Sequence, residues 1–588
     1  MNTSFKRLFG TAAVLIIAAG SLLARGEETG STRSSQPLVI RAVAWGPDNK
    51  AVDRARQRIE KHPNVQAELR GSRYMMLSFE YIEDQPAEKN APTPEPTRFR
   101  VVFYNYTEDV TVIAEAGFDE KEPVTVRRDM IDPWTTPEEI KAAYQVIEKD
   151  AAYIAASRKG PVEMYEPMPP ISKVNGERLV NIGIRNADLS LNEIVGVSFK
   201  NNTVVRYENG IPETNRMTAG TCGVPSGGGG TGPGIAGQAV LTINEPRGTS
   251  DVPMWEMLVV RPSASSGAQF ERSGIEVRDV KYKGKSVLKR GHAPVLNVKY
   301  LPGASCNAYR DWQYSEGNFQ APSAGAQDPA PGIRILAPGQ KATTIVENYN
   351  DGGNFNGVAI YQEDTGNPTG PEVVLVSEMN AGWYRYIMEW RFGTDGTIRP
   401  RYGFGSITST CVCSPRNHHV YWRLDFDVVQ PQNKVFQIER GRKFRTPVTT
   451  ELASFRSYQL NRGYLIQNAD GNEAYQVIPG MNDGEAYFTN PNGQVETFGA
   501  GDFWLLKFQG TANSPGELDD PSSGTGCPSY PAACLAPWVN NESLDGEDVV
   551  IWYSAHQFRI DDTSLTEWRN NVLAGKHVIG PDLRPVRW

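Results

Sequence analysis

Two runs decide how this chain is read: Tyr384-Arg385-Tyr386-Ile387-Met388-Glu389-Trp390-Arg391-Phe392, and His418-His419-Val420-Tyr421-Trp422-Arg423-Leu424-Asp425-Phe426-Asp427. Both are rich in the aromatic and β-branched residues that suit a pleated, packed surface. They sit in a long region, Gln238 to Trp588, of short β-rich runs punctuated by Gly, Pro, Asn and Asp, with helices nearly absent. That pattern predicts one large antiparallel β-sandwich over 238–588.

Ahead of it the pattern changes twice from helix to strands. Val52-Asp53-Arg54-Ala55-Arg56-Gln57-Arg58-Ile59-Glu60 reads as a helix closing before His62-Pro63. The runs from Arg98 to Tyr106 and from Val110 to Ala114 then read as a hairpin. Thr136-Pro137-Glu138-Glu139 opens a second helix, with an N-cap, a proline at the first helical position and acids in the first turn, running toward Ser157. Strands follow through Arg206. This predicts two small α+β units, 37–130 and 131–218. The glycine-rich 219–237 is read as a linker, because no Gly-Lys-Ser/Thr follows it to make a phosphate loop.

The composition narrows the function. The 588 residues carry 60 Lys+Arg and 68 Asp+Glu, a net charge of −8. This argues against a nucleic-acid or anionic-membrane partner, either of which calls for a basic face. Residues 1–25 read as a secretory signal, with Lys6 and Arg7 ahead of an apolar stretch from Leu8 to Ala24. A secreted or periplasmic protein, without a membrane partner after cleavage, is expected. Export makes disulfides the default for the six Cys. Cys527 and Cys534 flank a Pro-Ser-Tyr-Pro turn and make the best local pair. Cys411 and Cys413, at strand spacing, share a face and cannot easily bridge each other, which favours two separate long-range disulfides.

Three stretches resemble the copper amine oxidase family. They are Asp279-Val280-Lys281-Tyr282-Lys283-Gly284-Lys285-Ser286-Val287-Leu288, leading to Tyr300; Tyr384 to Phe392, continuing into Asp395-Gly396-Thr397-Ile398; and His418 to Asp427. A fourth match is Glu547-Asp548-Val549-Val550-Ile551-Trp552-Tyr553 before His556, and Val101 to Arg128 is similar to a hairpin of the family's front domains. The resemblance covers most of the chain at the level of a remote relative. It implies a mainly β fold: a copper amine oxidase-like supersandwich preceded by two small α+β domains, in a homodimer.

The resemblance also implies a chemistry. In the family, copper and oxygen convert a tyrosine to topaquinone, which with an aspartate base turns a primary amine into aldehyde, ammonia and hydrogen peroxide. Tyr384 would be the topaquinone precursor. Tyr349, in Asn348-Tyr349-Asn350, competes for that role but lacks the matching downstream run. Trp383 stands where the family has Asn, and Arg385 where it has an acid, which would reverse the charge beside the quinone.

The copper site is expected at His418, His419 and His556, with His577 in reserve and Cys413 as a possible soft ligand. Arg416 occupies the first position of the family's His-x-His pair, and a guanidinium cannot ligate. His418 takes the second position, and His419 points to the opposite face unless a bulge intervenes. Asp311 is placed as the proton acceptor, with Glu316 as the alternative, and Tyr300 as the tyrosine that hydrogen-bonds the quinone. Asp425, the Phe426 carbonyl, Asp427 and Asp548 resemble a calcium site of hard oxygen ligands.

Two functions therefore compete: an exported copper/topaquinone primary amine oxidase, and a catalytically inactive scaffold serving as a binding or structural module. A hydrolytic metal site lacks any His-Glu-x-x-His motif and ranks behind both.

Overall fold

The computed structural model describes residues 37–588 apart from 83–88, 90, 187–190, 208–221, 228–229, 233, 235–236, 247–250, 267–270, 301–305, 307–308, 365–369, 410, 485–486, 490–494, 498–500, 510–534, 536–537 and 560–577. The signal-like segment, Cys527, Cys534 and His577 thus lie outside the described residues.

The front of the chain builds two small antiparallel sheets. The helix Asn49–Lys61 starts where the Asp48 carboxylate accepts from the Ala51 amide, and His62 ends it. Its buried Val52, Ala55 and Ile59 recur at helical spacing and pack on Phe79, Phe99 and Phe103 of a four-stranded sheet (Tyr74–Ile82, Arg98–Asn105, Val110–Gly117, Thr125–Asp129). In the next unit the Thr136 hydroxyl accepts from the Glu139 amide and starts Pro137–Ile147. The helix expected to continue toward Ser157 is in fact two. The Asp150 carboxylate accepts from the amides of Ala152 and Tyr153 and caps a new start, Ala151–Ser157. Ile140, Ala143 and Ile147 cover Val180, Ile182 and Val195 of a five-stranded sheet.

The rest is mainly β, as the punctuated pattern predicted. One layer runs, in hydrogen-bonded order, from Val39–Trp45 through Gln238–Asn244, Trp255–Val260, Glu276–Tyr282, Lys285–Tyr300, Arg416–Phe426 and Glu547–Arg559 to Phe503–Lys507. The first of these strands precedes the front units in sequence yet pairs with the sandwich. The facing layer includes Val358–Glu363, Glu372–Ala381, Tyr384–Gly393 and Ile398–Ser406. Trp255, Leu288 and Leu424 of the first layer share a dry core with Leu375, Trp390 and Phe392 of the second.

Two details of this frame position the site. The Lys283-Gly284 pair, with φ 51° and 78°, makes a tight turn that fixes the register of the hairpin ending at Tyr300. The described part of the glycine-rich stretch is not loose either. Cys222 and Val224 bridge to Ser409 and Ile407, and Gly227 donates to Asp351.

Candidate functional site

Tyr300, at the end of its strand, is the direct cross-strand partner of Arg416, and Val298 is the partner of His418. Because side chains alternate, Tyr300, Arg416 and His418 share one face, which looks across the sandwich at Tyr384 and Tyr386. The hydroxyls of Tyr300 and Tyr384 hydrogen-bond to each other, and the Trp383 indole donates to the Tyr300 hydroxyl at 3.1 Å. Burial raises the Tyr384 phenol to about 12, with the Arg416 charge opposing the shift. His418 stacks on Phe404 (4.6 Å between ring centres) and meets Tyr384 edge-on at 4.8 Å.

Tyr349 is far from this role. It caps the short helix Ile345–Asn348 in the left-handed region, at φ 54°. Arg385 alternates to the opposite face from Tyr384, so the expected charge reversal beside that ring does not occur. Its guanidinium pairs with Asp351 at 2.5 Å and donates to the Gly382 and Tyr384 carbonyls.

Asp311 is buried beside this cluster. It accepts from Tyr386 rather than Tyr384. Burial lifts its carboxyl to about 7, the Tyr386 hydrogen bond opposes this and Glu271 adds to it. Its neighbour Arg310 is buried too and pairs with Glu271 at 2.6 Å. Glu316 is consumed by a buried pair with Arg261 and by the Ser263 hydroxyl at 2.9 Å.

The three histidines named from sequence do not converge. The register between Arg416–Phe426 and Glu547–Arg559 is unbroken, with His418 opposite Gln557 and His419 opposite His556. No bulge rotates His419, so it stands with His556 on the far face of the layer. Their Nδ1 atoms are 2.8 Å apart, and His556 Nε2 reaches Asp502 at 3.0 Å and Ser554 at 3.1 Å. Burial lowers both imidazoles, His419 further because His556 and Lys299 add to the effect.

Cys413 is not available as a ligand, because it is bonded to Cys222, and Cys306 to Cys411. The pair of long-range disulfides is as expected, although Cys411–Cys413 is a 3-10 turn rather than a strand. That turn carries the carbonyls of Val412 and Ser414, which accept from the Arg416 guanidinium. Arg416, the residue expected from the resemblance at the first position of the His-x-His pair, is therefore held in place, with its guanidinium carbon 5.6 Å from the Tyr384 ring centre. This donor set does not fit copper.

Among the described residues, one trio of potential ligands lies within 4.8 Å of one another: Asp425, Asp427 and Asp548. These are the carboxylates expected to hold calcium. The structure brings a cation there from the chain itself. Lys89 Nζ is 2.6 Å from Asp425 and 3.2 Å from Asp427, bonds Asp548, and lies 4.0 Å above the Phe508 ring. Burial alone would lower this ammonium, but the three carboxylates outweigh it and hold it above its ordinary value. No sequence signal pointed to Lys89, which is remote from the trio along the chain.

A cavity of about 630 Å³ adjoins the tyrosine pair, and sequence reading did not anticipate it. The second front unit contributes Tyr144 and Glu166, and the sandwich contributes Trp312, Tyr314, Trp383 and Arg385. Trp383 lines it and donates to the Tyr300 hydroxyl, linking the cavity wall to the tyrosine pair. Glu166 is open to the lumen but hemmed by protein beyond it. Desolvation raises its carboxyl and Arg385 opposes the rise.

No protein-family model matches the chain, nor does any curated protein sequence. Solved structures do match. A copper-containing benzylamine oxidase from Hansenula polymorpha aligns with 92% of this chain and 97% of its own, at 14% identity and a TM-score of 0.56. An amine oxidase from Aspergillus nidulans covers 92% of this chain and 88% of its own, at 13% identity and a TM-score of 0.54. Pichia pastoris lysyl oxidase covers 94% and 92%, at 13% identity and a TM-score of 0.52. The fold is that of the copper amine oxidases, as the ordered sequence motifs implied. Two disulfides join distant segments, and among the described residues no helix is long and apolar enough to cross a membrane.

Proposed function

We propose that this chain is a non-oxidising, ligand-binding member of the amine oxidase fold. Its ligand would be a small amphipathic ammonium compound held in the cavity between the second front unit and the sandwich. The observation that carries the reading is the fastening of Arg416 in the first copper-ligand position while His419 and His556 face the other side. Nothing in this arrangement supplies the metal needed to process Tyr384. The cavity beside it remains, with a carboxylate, Glu166, among the aromatic rings of Tyr144, Trp312, Tyr314 and Trp383. Aromatic faces and the Glu166 carboxylate on the cavity wall both favour an organic cation.

The competing reading is an exported primary amine oxidase with copper at His418, His419 and His556, topaquinone from Tyr384, Asp311 as base and Tyr300 as its partner. Fold and motif order favour it; the ligand geometry opposes it. Under either reading the disulfides support an oxidising compartment, secreted or periplasmic, and the fold supports a homodimer of chains built as 37–130, 131–218, 219–237 and 238–588.

Calorimetric titration with benzylamine, benzyl alcohol and benzoate, alongside a peroxide assay after copper loading, tests the proposal. Binding of the amine alone, lost in Glu166→Gln and without peroxide, is expected. Peroxide formation from benzylamine would overturn it.

A further inference from the structure

One end of the second layer carries a strongly basic, exposed hairpin tip on an otherwise acidic chain. The strands Gln432–Glu439 and Phe444–Val448 form a hairpin whose tip reads Arg440-Gly441-Arg442-Lys443-Phe444-Arg445, four cations with no acid among them. Every residue of that stretch is exposed, Phe444 to 55%. The carboxylate at its base is already occupied, because Glu439 pairs with Arg462 at 2.9 Å. Two of the four cations instead lie on aromatic rings. Arg440 is over Phe444 at 5.7 Å, and Arg445 over Phe436 at 3.5 Å.

The turn itself is built from three successive left-handed residues, Arg440, Gly441 and Arg442, with φ 50°, 67° and 68°. That conformation favours Gly or Asn, yet two of the three positions hold arginine. The local geometry does not call for those side chains, so their charge needs another account.

Neighbouring segments add an apolar rim. The Arg440 amide donates to the Leu460 carbonyl at 2.7 Å, Arg462 donates to the Phe455 carbonyl at 3.1 Å, and the Tyr458 hydroxyl donates to the Gly480 carbonyl at 2.9 Å. These bonds lace the hairpin tip to the 455–462 segment and to the turn at 480–484. Phe455 (38% exposed), Tyr458 (43%) and Met481 (92%) are thereby gathered at the same end as Phe444.

We propose that this end docks on an anionic phospholipid bilayer. Arginine and lysine would meet lipid phosphates, while Phe444 and Met481 enter the interfacial layer beneath them. A soluble polyanion would use the cations but gives no reason for the exposed apolar side chains. The net charge of −8 does not prevent this, because a surface potential acts over about a Debye length, the 440–445 stretch carries four cations and no acid, and Glu439 beside it is paired with Arg462.

The test is co-sedimentation of the full chain with vesicles of phosphatidylcholine, with and without phosphatidylglycerol, at low and high salt. Binding should require phosphatidylglycerol and fall with salt. Each cation near an anionic leaflet is worth about fivefold in partitioning, so Arg442→Ala with Lys443→Ala should weaken binding by roughly 30-fold. Phe444→Ala should weaken it several-fold, and Lys443→Arg should leave it unchanged. Thermal midpoints equal to that of the unaltered chain would exclude misfolding of these exposed-site variants. The proposal is overturned by any one of four results: no vesicle binding, equal binding to phosphatidylcholine alone, retention of binding by the double variant, or binding to heparin in the absence of vesicle binding.

Discussion

Arg416 faces Tyr384 across the sandwich with 5.6 Å between guanidinium carbon and ring centre, while its own strand pairs it directly with Tyr300. A fixed positive charge thus lies against the Tyr384 ring, at the residue that the sequence resemblance sets in the first position of a His-x-His pair. The carbonyls of Val412 and Ser414 hold it there, and Cys411 and Cys413 on either side of Val412 are both disulfide-bonded.

The first expectation concerns metal and cofactor. After exposure to copper and oxygen, the peptide containing Tyr384 should keep the mass of unmodified tyrosine, and metal analysis should find copper well below one per chain. Arg416→His should not reverse this, because it adds an imidazole beside His418 while His419 and His556 stay on the far face. Stoichiometric copper in either protein would contradict the geometry.

A second expectation follows from Lys89. Its ammonium is the counter-charge of a largely buried carboxyl cluster in which burial lifts Asp427 to about 6 and Asp548 to about 8, and removing one partner of a buried ionic cluster typically costs about 3–5 kcal/mol. Lys89→Met should therefore lower the thermal midpoint. It should also open the trio to a hard divalent cation, so calcium should restore much of the loss in the variant and do little for the unaltered protein. Thermal unfolding with and without calcium reads both. Equal calcium responses in the two proteins would show that the ammonium is not the resident cation.

How much of the molecule is legible in its sequence differs from element to element. The sandwich is legible because Tyr384–Gly393 and Arg416–Phe426 are local runs whose composition suits only a packed sheet. The facing of His418 and His419 is legible too, since period-2 alternation needs no tertiary knowledge. The helix restart at Asp150 is not, because Asp is a common mid-helix surface residue, and only its hydrogen bonds identify it as a cap. Lys89 and the cavity are illegible for a different reason. Both depend on bringing a front unit against the sandwich, and no periodicity records which distant charges meet.

The disulfides give a third expectation. They join residues 191 and 105 apart, and closing loops of that length removes unfolded-state entropy worth roughly 5 kcal/mol each in the chain-entropy account. Reduction should lower the denaturation midpoint markedly. Cys306→Ser with Cys411→Ser should in addition loosen the turn whose carbonyls hold Arg416. Nitration of Tyr384 by tetranitromethane, read by peptide mass, should then change before global unfolding. Unchanged reactivity up to the unfolding transition would separate the disulfide from the site.

The last expectation is a pH dependence centred on Asp311. Burial raises its folded pKa to about 7, against an unfolded value near 3.8. Below the unfolded value both states hold the proton and the site carries no penalty. As pH rises from there toward 7, the unfolded chain releases the proton and the folded one retains it, so stability falls across that window. Above 7 the folded state must bury the carboxylate, at a cost of up to about 4 kcal/mol, since each tenfold change in proton affinity is worth about 1.4 kcal/mol. Asp311→Asn keeps an oxygen to accept from the Tyr386 hydroxyl and removes the titration. Denaturant midpoints should therefore be similar for the two proteins near pH 4, and the variant should be the more stable at pH 8. Parallel stability curves from pH 4 to 8 would mean that Asp311 is solvated or paired in a way that this geometry does not contain.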